Sequence, residues 1–449
     1  MSKKHSLYDA FNITRKTTNV TNLSDYDIFP DKKLLDALRT KIVENVIDKT
    51  IPEGKTLNEF INDEIDRTIL GYDLTNLERS HLYNLIDNEI NGYGPLTELL
   101  KDKNVTEIMV NSPEEIYIEI DGQLVKDEGI SFINDEHIVR TIKRLIEPLG
   151  KTIDIANPLI DSRLEDGSRI TAVLPPLSTK GPIITIRKFN DNITSVEELI
   201  RMGTLTPYMA RFLEAAVKSK LNILVCGGTG SGKTSLLNTL SSFIPETERI
   251  VTIEDAAELK LNQQHVISLE TKTASSLDNN EVTIRDLMLH SLHMRPDRII
   301  IGEVRGKEAF DMLQAMTTGN EGSITTLHAN SCEDALNRLE TMILMAGMEL
   351  PIKAVREYIF GAIDLIVYID RKSDGKRKVS SICELSEIKK DKIELTTIFE
   401  FKQNGLTENN EIDGEYILYP IVPKVYQKMY NRGVKDIDDI FEFKTKKKK

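Results

Sequence analysis

The feature that most constrains the fold is a glycine-rich octapeptide, Gly227-Gly228-Thr229-Gly230-Ser231-Gly232-Lys233-Thr234. An apolar run at 223–226 precedes it, and Ser235-Leu236-Leu237 continues into a helical pattern. Glycines allow consecutive backbone N–H groups to turn inward around an anion without Cβ clashes, and the first turn of a helix adds partial positive charge. The order of strand, loop and helix therefore predicts a phosphate-binding turn at the edge of a parallel sheet.

The octapeptide fits the pattern G-x-x-x-x-G-K-[ST], which predicts roles for its members. Lys233 is expected to reach the β- and γ-phosphates of ATP, and the Thr234 hydroxyl is expected to bind Mg²⁺. A glycine-rich turn that matches by chance is the alternative, and the strand before and the helix after argue against it. The pattern alone does not separate a motor from a small-molecule kinase or a GTPase. The predicted nucleotide-binding residues are Gly227, Gly228, Thr229, Gly230, Ser231, Gly232, Lys233, Thr234 and Ser235.

Two glutamates stand where later apolar runs end. Glu254 follows the run 249–253, and Glu303 follows the run 298–301. Because parallel strands present their carboxyl ends at one edge of a sheet, both carboxylates are expected beside the phosphates. We expect Glu303 to orient and deprotonate the attacking water and Glu254 to support the metal or the water. Gly302 stands where an Asp often binds magnesium, and the alternative for both glutamates is a solvated or ion-paired strand-end acid.

A histidine follows a further run of the same kind. His328 comes directly after residues 323–327, which are predicted to form another strand of the sheet. An isolated histidine is more often structural than catalytic. Its place at the end of this strand makes His328 an equally good candidate for a γ-phosphate sensor.

The texture of the chain predicts five regions. Residues 1–30 are polar and are expected to be poorly ordered. Apolar residues at helical spacing predict a small helical lobe at 31–91, and turn signals with short β runs predict a mixed α+β domain at 92–190. Alternating strands and helices at 191–375 predict a parallel sheet covered on both faces. Alternating strands at 376–449 predict an antiparallel appendage that ends in a basic, solvated tail.

Within 191–375 the alternation predicts individual elements. Strands are expected at 222–226, 249–253, 298–301, 323–327 and 364–369, and helices at 233–243, 283–294, 307–318 and 331–346.

Composition limits the partners and the compartment. The net charge of −13 argues mildly against a general affinity for nucleic acid or anionic lipid, so no nucleic acid is expected as a ligand. The three cysteines, Cys226, Cys332 and Cys383, form no CxxC pair, which excludes a four-cysteine zinc site and disfavours a disulfide framework. No run reaches the ~20 apolar residues that span a bilayer. A cytoplasmic location follows, with membrane association through a partner.

Taken together, the motifs resemble the type II/IV secretion-system ATPase superfamily, and most closely its Tad/Flp pilus assembly branch. The four boxes of that superfamily, Walker A, Asp box, Walker B and His box, stand in order at 227–234, 252–258, 302–306 and 326–330. The preceding domain also resembles the superfamily, at 92–96, 105–111 and 166–169. The resemblance covers about residues 80 to 405.

The resemblance implies an α/β fold with a RecA-like P-loop NTPase domain, preceded by an α+β N-terminal domain and the small helical lobe. It implies a cytoplasmic homohexamer that hydrolyses ATP with Mg²⁺. Such a motor powers type IV/Tad pilus assembly or type II/IV protein secretion through an inner-membrane platform protein. Arginines of the N-terminal domain reach the phosphates in that family, and the matching positions here are Arg163, Arg169 and Arg187.

Two departures from the family and two rival functions remain. Thr318-Gly319-Asn320 has asparagine where the His box often begins Thr-Gly-His, so no second catalytic histidine is predicted. The four-cysteine zinc module of some type II secretion members is absent from the sequence. The rivals are a RecA-like nucleic-acid translocase, such as a conjugation motor, and a nucleotide-gated scaffold with little turnover.

Overall fold

The computed structural model describes residues 28–29, 31–120, 122–189, 195–272, 280–347, 350–407, 410–434 and 437–441. These residues fall into two compact units, and the boundary between the units lies between residues 190 and 191. Nearly all of the expected N-terminal disordered segment and the basic run 446–449 lie outside the described residues. The five-region division of the chain therefore stays a prediction.

The first unit begins with a three-helix cluster. Its predicted apolar stripe is buried, because Leu38, Ile42 and Val46 pack against Ile61 and Leu82 of the other two helices. Two of the helices begin at threonine capping boxes, which fix where the chain turns into the helix. The helices are α1 (Lys32–Asp48), α2 (Leu57–Thr68) and α3 (Asn76–Asn91).

A six-stranded antiparallel sheet completes the first unit. Its strand order is β3-β2-β1-β6-β5-β4, and Ile138, Ile142 and Leu145 of one helix pack against the apolar side chains of the sheet. Two of its strands, β3 and β4, were not foreseen from the sequence. The elements are α4 (Thr97–Lys101), β1 (Val105–Ser112), β2 (Glu115–Ile120), β3 (Gln123–Asp127), α5 (Asp135–Ile146), β4 (Leu159–Arg163), β5 (Arg169–Val173) and β6 (Ile183–Arg187).

A buried ionic group joins the helices of the first unit to its sheet-forming part. Glu89 of α3 forms an ion pair with Arg39 of α1 and a 2.9 Å hydrogen bond with the imidazole Nε2 of His137 on α5. Burial alone would raise the pKa of Glu89, but the hydrogen bond from His137 and the charge of Arg39 lower this pKa to about 2. Arg144 also donates to the carbonyl groups of Glu89 and Ile90. Helices and sheet are therefore bound into one unit by more than apolar contact.

The second unit is built on a nine-stranded sheet in the order β15-β14-β13-β12-β7-β11-β10-β8-β9. The six strands from β12 to β9 are mutually parallel, as the sequence predicts for this region. β9 is an additional, half-exposed edge strand. The parallel strands are β7 (Ile223–Gly227), β8 (Ile250–Glu254), β9 (Val266–Glu270), β10 (Arg298–Val304), β11 (Ile324–His328) and β12 (Leu365–Arg371).

Helices cover both faces of this sheet. Ile223 and Val225 of β7 contribute to one apolar core, and the alternate residues Leu224 and Cys226 contribute to the other. The four predicted helices are present, and most of their first and last residues lie within about two residues of the predicted ones. The helices are α6 (Val196–Arg201), α7 (Pro207–Lys218), α8 (Lys233–Ser241), α9 (Ile284–Ser291), α10 (Glu308–Thr317), α11 (Cys332–Met345), α12 (Ile352–Ala362), α13 (Lys424–Asn431) and α14 (Asp438–Phe441).

The C-terminal strands are antiparallel, as the alternating pattern predicts, and they extend the central sheet beyond β12. β13 pairs with β12, and β14 and β15 follow in turn. Their bounds are β13 (Arg377–Lys389), β14 (Lys392–Leu406) and β15 (Ile412–Leu418). The three cysteines are buried free thiols. Among the described residues, no helix combines the length and the apolar character that a bilayer crossing needs.

Candidate active site

The glycine-rich loop connects β7 to α8. Every residue of β7 is buried, so the strand fixes the base of the loop within the sheet. Gly232 adopts a left-handed conformation (φ 95°) as the residue that caps α8, and in the described part of the chain no side chain caps this helix. The first N–H groups of α8 are thus left to the solvent or to a ligand, which is the arrangement that binds anions.

Two polar side chains of the loop point to the same use. The hydroxyl of Ser231 is buried and has no hydrogen-bond partner among the described residues. The ammonium of Lys233 donates to the carbonyl oxygens of Gly227 (3.1 Å) and Gly228 (2.9 Å), so it lies across the mouth of its own loop. An unsatisfied buried hydroxyl is costly, and a bound phosphate would supply the acceptor.

The strand order brings the other predicted residues to the same edge. β7, β11, β10 and β8 are consecutive neighbours, so their carboxyl ends lie side by side. His328 pairs in register with Gly227 at the start of the loop. Glu254 and Glu303 end or nearly end the next strands along. The sheet therefore brings together the loop, both glutamates and the histidine.

Glu303 is held by two basic residues. Arg305 donates from Nε (2.7 Å) and from Nη2 to the Oε2 of Glu303, and its Nη1 donates to Asp255 at 3.2 Å. The ammonium of Lys233 lies 4.0 Å from the Oε1 of Glu303. The carboxylate of Glu303 is about one-fifth exposed, so it is oriented by charge and remains reachable by water.

Glu254 is a buried carboxyl with one occupied and one unoccupied oxygen. Its Oε1 accepts hydrogen bonds from the backbone N–H groups of Glu258 (2.8 Å) and Leu259 (2.9 Å). Its Oε2 is buried without a hydrogen-bond partner in the residues that the structure describes. Burial raises the pKa of Glu254 to about 7. A cation or hydrogen-bond donor that reached the open Oε2 would stabilise the ionised form of this carboxyl.

Gly302 explains how Glu254 reaches this position. A Cβ on Gly302 would lie 3.0 Å from the Cγ of Glu254 on the neighbouring strand. The carbonyl of Gly302 accepts from the Thr326 hydroxyl at 2.6 Å, which ties β10 to β11 at the same level. The glycine in the Walker B position therefore makes room for the carboxyl of Glu254, where a larger residue would crowd it.

An acidic residue, Asp334, lies close to His328. Asp334 accepts from the backbone N–H of Asn330 (2.9 Å) and from Arg338. The Asn330 hydrogen bond, with Arg338 and His328 nearby, holds the pKa of Asp334 below its ordinary value. Asp334 thus fixes the turn that follows β11 and stays ionised close to His328.

The three arginines of the first unit form a row across its sheet. Arg163 on β4 pairs in register with Arg169 on β5, and Arg169 pairs with Arg187 on β6. Arg169 makes a bidentate pair with Asp161 (2.9 and 2.6 Å), and Arg187 lies 4.0 Å from Glu107. Like charges directly opposite one another destabilise a sheet. Such a row is consistent with an anionic ligand.

Comparison with known proteins identifies the chain. Residues 89–423 match the type II/IV secretion system protein family. The chain belongs to this family.

The chain is also similar to individual proteins. A conjugal transfer protein TrbB of Rhizobium radiobacter is 34% identical over 62% of this chain and 83% of the relative. The type IV secretion system protein VirB11 of Brucella suis is 32% identical over 61% of this chain and 83% of the relative. A crystal structure of the Brucella suis VirB11 ATPase with sulphate is 29% identical, covers 65% of this chain and 95% of that one, and has a TM-score of 0.36.

Membership of the type II/IV secretion family makes the chain a nucleotide-binding ATPase with a RecA-like domain. The match does not single out the Tad/Flp branch. The sequence interpretation named the loop, the two glutamates and His328, but it gave no role to Arg305 or Asp255. Arg305 stands two residues after Glu303, so its pairing with that carboxylate could have been predicted from the sequence. Its contact with Asp255 depends on the neighbouring positions of β8 and β10, which the sequence alone does not give.

Proposed function

We propose that this ATPase is the hexameric motor of a type IV/Tad pilus-assembly or secretion machine. In this proposal it lies in the cytoplasm and works through an inner-membrane platform protein. The observation that carries the proposal is the convergence of the phosphate loop with Glu254, Glu303 and His328 at one sheet edge. A phosphate-binding loop beside an oriented carboxylate suits hydrolysis by water better than transfer to a bound substrate.

Lys233 and the loop backbone bind the nucleotide in this scheme. Its ammonium leaves the carbonyls of Gly227 and Gly228, which now hold it, and pairs with the β- and γ-phosphates. The Ser231 hydroxyl and the open N–H groups of α8 supply further donors, and Thr229 and Ser235 flank them. Each of these groups gains a stronger, charge-assisted partner when a polyphosphate binds.

The residues present fit a magnesium ion. Mg²⁺ prefers hard oxygen ligands and is commonly held by one or two carboxylates together with substrate phosphates. The Thr234 hydroxyl and the open Oε2 of Glu254 are such ligands. Bound there, the ion would neutralise charge that develops on the phosphates.

Glu303 is the general base in this scheme. Its carboxylate accepts the proton of the attacking water, and Arg305 keeps that carboxylate in one orientation through two N–H groups. Lys233, 4.0 Å away, links the base to the phosphates. His328, at the end of the strand between them, responds to the presence of the γ-phosphate.

The arginine row of the first unit is the charge clamp of the proposed motor. In the working assembly Arg163, Arg169 and Arg187 compensate negative charge on the phosphates, which would also offset their mutual repulsion.

Substituting this row tests the clamp. Arg169→Gln and Arg187→Gln are each expected to lower kcat by about 10- to 100-fold, because each removes charge-assisted hydrogen bonds to the phosphates. Steady-state phosphate release measures this, and Arg140→Gln, which changes another exposed arginine of the same unit, is the matched control. Normal turnover in both variants would show that Arg169 and Arg187 do not act on the phosphates.

A nucleic-acid translocase is the second candidate, because a relative is named a conjugal transfer protein. The net charge of −13 argues against a strong grip on DNA.

One ATPase assay separates the candidates. Phosphate release is measured with Mg²⁺, with and without single- and double-stranded DNA, for the natural protein and for Lys233→Met. We expect turnover without DNA, no DNA stimulation, and a KM for ATP that is about 10- to 100-fold higher in Lys233→Met. Clear stimulation by DNA would favour the translocase, and negligible release under every condition would favour a nucleotide-gated scaffold.

A further inference from the structure

The glycines of the phosphate loop serve a contact besides the one with phosphate. A Cβ on Gly227 would overlap the carbonyl oxygen of Ile369, two residues before the end of β12. A Cβ on Gly232 would lie 2.9 Å from the Cδ of Arg377, and one on Gly230 would lie 3.4 Å from the Nη1 of Arg371. Three glycines of the octapeptide thus face one segment, the hairpin that joins β12 to β13. At Gly227 and Gly232 the loop has glycine partly because the hairpin packs directly on it.

Two arginines stand at the end of this hairpin. Arg371 ends β12, Arg377 begins β13, and the two are cross-strand partners in register. The Nε of Arg377 donates to the carbonyl oxygen of Gly230 at 3.1 Å, which fixes the tip of the loop from a strand 147 residues away. Like charges directly opposite on paired strands repel, and an anion held in the adjacent loop would offset that repulsion.

The hairpin is anchored on its far side as well. Its turn closes through hydrogen bonds between Lys372 and Lys376 (2.8 Å) and between Gly375 and Lys372 (2.9 Å). The carboxylate of Asp374 accepts from the backbone N–H of Ile412, at the start of β15, at 2.9 Å. The hairpin therefore holds the loop tip from a fixed support and does not follow the loop passively.

We propose that Arg377 is a positioning residue for nucleotide binding, and that Arg371 beside it adds positive charge for the polyphosphate. Arg377 holds Gly230 so that the loop's N–H groups converge on one point before the nucleotide arrives. A loop organised in advance loses less conformational freedom on binding. This inference rests on the proposed nucleotide site and adds to it a segment outside the four family boxes.

Arg377→Met is the test variant, because methionine keeps an unbranched stem over Gly232 and removes the guanidinium. ADP affinity is measured by displacement of a fluorescent ADP analogue, and KM and kcat are measured with ATP. We expect the Kd for ADP and the KM for ATP to rise about tenfold, with kcat at saturating ATP changed by less than about twofold. Arg377→Lys restores a charge and a donor and is expected to recover most of the affinity.

Lys376→Met is the matched control, since it removes one positive charge from the same hairpin but pairs with Glu411 at 3.0 Å. It is expected to bind ADP like the natural protein. If Arg377→Met does not fold, Arg371→Met carries the test and is expected to weaken ADP binding in the same direction. Unchanged ADP affinity in the folded arginine variant, or an equal loss in Lys376→Met, overturns the inference. Failure of the natural protein to bind ADP or ATP would instead contradict the proposed nucleotide site itself.

Discussion

Replacing Glu303 by Gln is expected to lower the kcat for ATP hydrolysis by about 10³-fold, while the affinity for nucleotide changes by less than about threefold. The amide has nearly the same shape and can still accept a hydrogen bond from Arg305, so the local structure is kept. It cannot accept a proton from water, so only the chemical step is affected. Steady-state phosphate release and a nucleotide-binding titration measure the two quantities separately.

A control on the outer surface makes this result specific. Glu214→Gln changes a glutamate of α7 that pairs with Lys218 at 2.6 Å, and it is expected to hydrolyse ATP at the natural rate. Turnover above about one-tenth of the natural rate in Glu303→Gln would remove Glu303 as the general base. In that case Glu254, the other carboxyl at the sheet edge, would be the residue to substitute next.

Local patterns were enough to predict much of this site. The loop is recognisable because glycine spacing, a strand before and a helix after occur within about 20 residues. The glutamates were found because each follows a short apolar run, and a parallel sheet aligns the ends of such runs. These signals are short in sequence, so they survive without knowledge of the strand order.

The parts that sequence reasoning missed depend on contacts between distant segments. Arg377 contacts Gly230 only because β12 lies next to β7, and no local sequence pattern predicts that the two strands are neighbours. The raised pKa of Glu254 depends on burial beside Gly302, a residue on another strand. α12 is a different case, since Val355, Ile359 and Ala362 repeat at helical spacing and are buried. That helix could have been predicted, whereas the edge strand β9 carries only a weak, half-exposed pattern.

Glu254→Gln is expected to lower kcat by about 10³-fold and, at the same time, to stabilise the nucleotide-free protein at high pH. The folded-state pKa of Glu254, about 7, lies above its ordinary value of 4.5. Between these pH values the folded protein keeps a proton that the unfolded chain has released, so the free energy of unfolding falls as pH rises. The difference between the two pKa values corresponds to about 3 kcal/mol.

Glutamine does not ionise, so the variant escapes that loss. Relative to the natural protein, its melting temperature is expected to rise by about 3–6 °C between pH 5 and pH 8, measured without nucleotide. Because the comparison is a change with pH, any constant cost of burying the new amide cancels. Glu258→Gln removes a neighbouring charge that raises the pKa of Glu254, so it should lower the folded-state pKa slightly and make the loss of stability with pH correspondingly smaller. A melting-temperature difference between Glu254→Gln and the natural protein that stays constant with pH would mean that Glu254 is ionised throughout. Burial would then not destabilise the ionised form of Glu254, and a bound cation would not be needed to stabilise it.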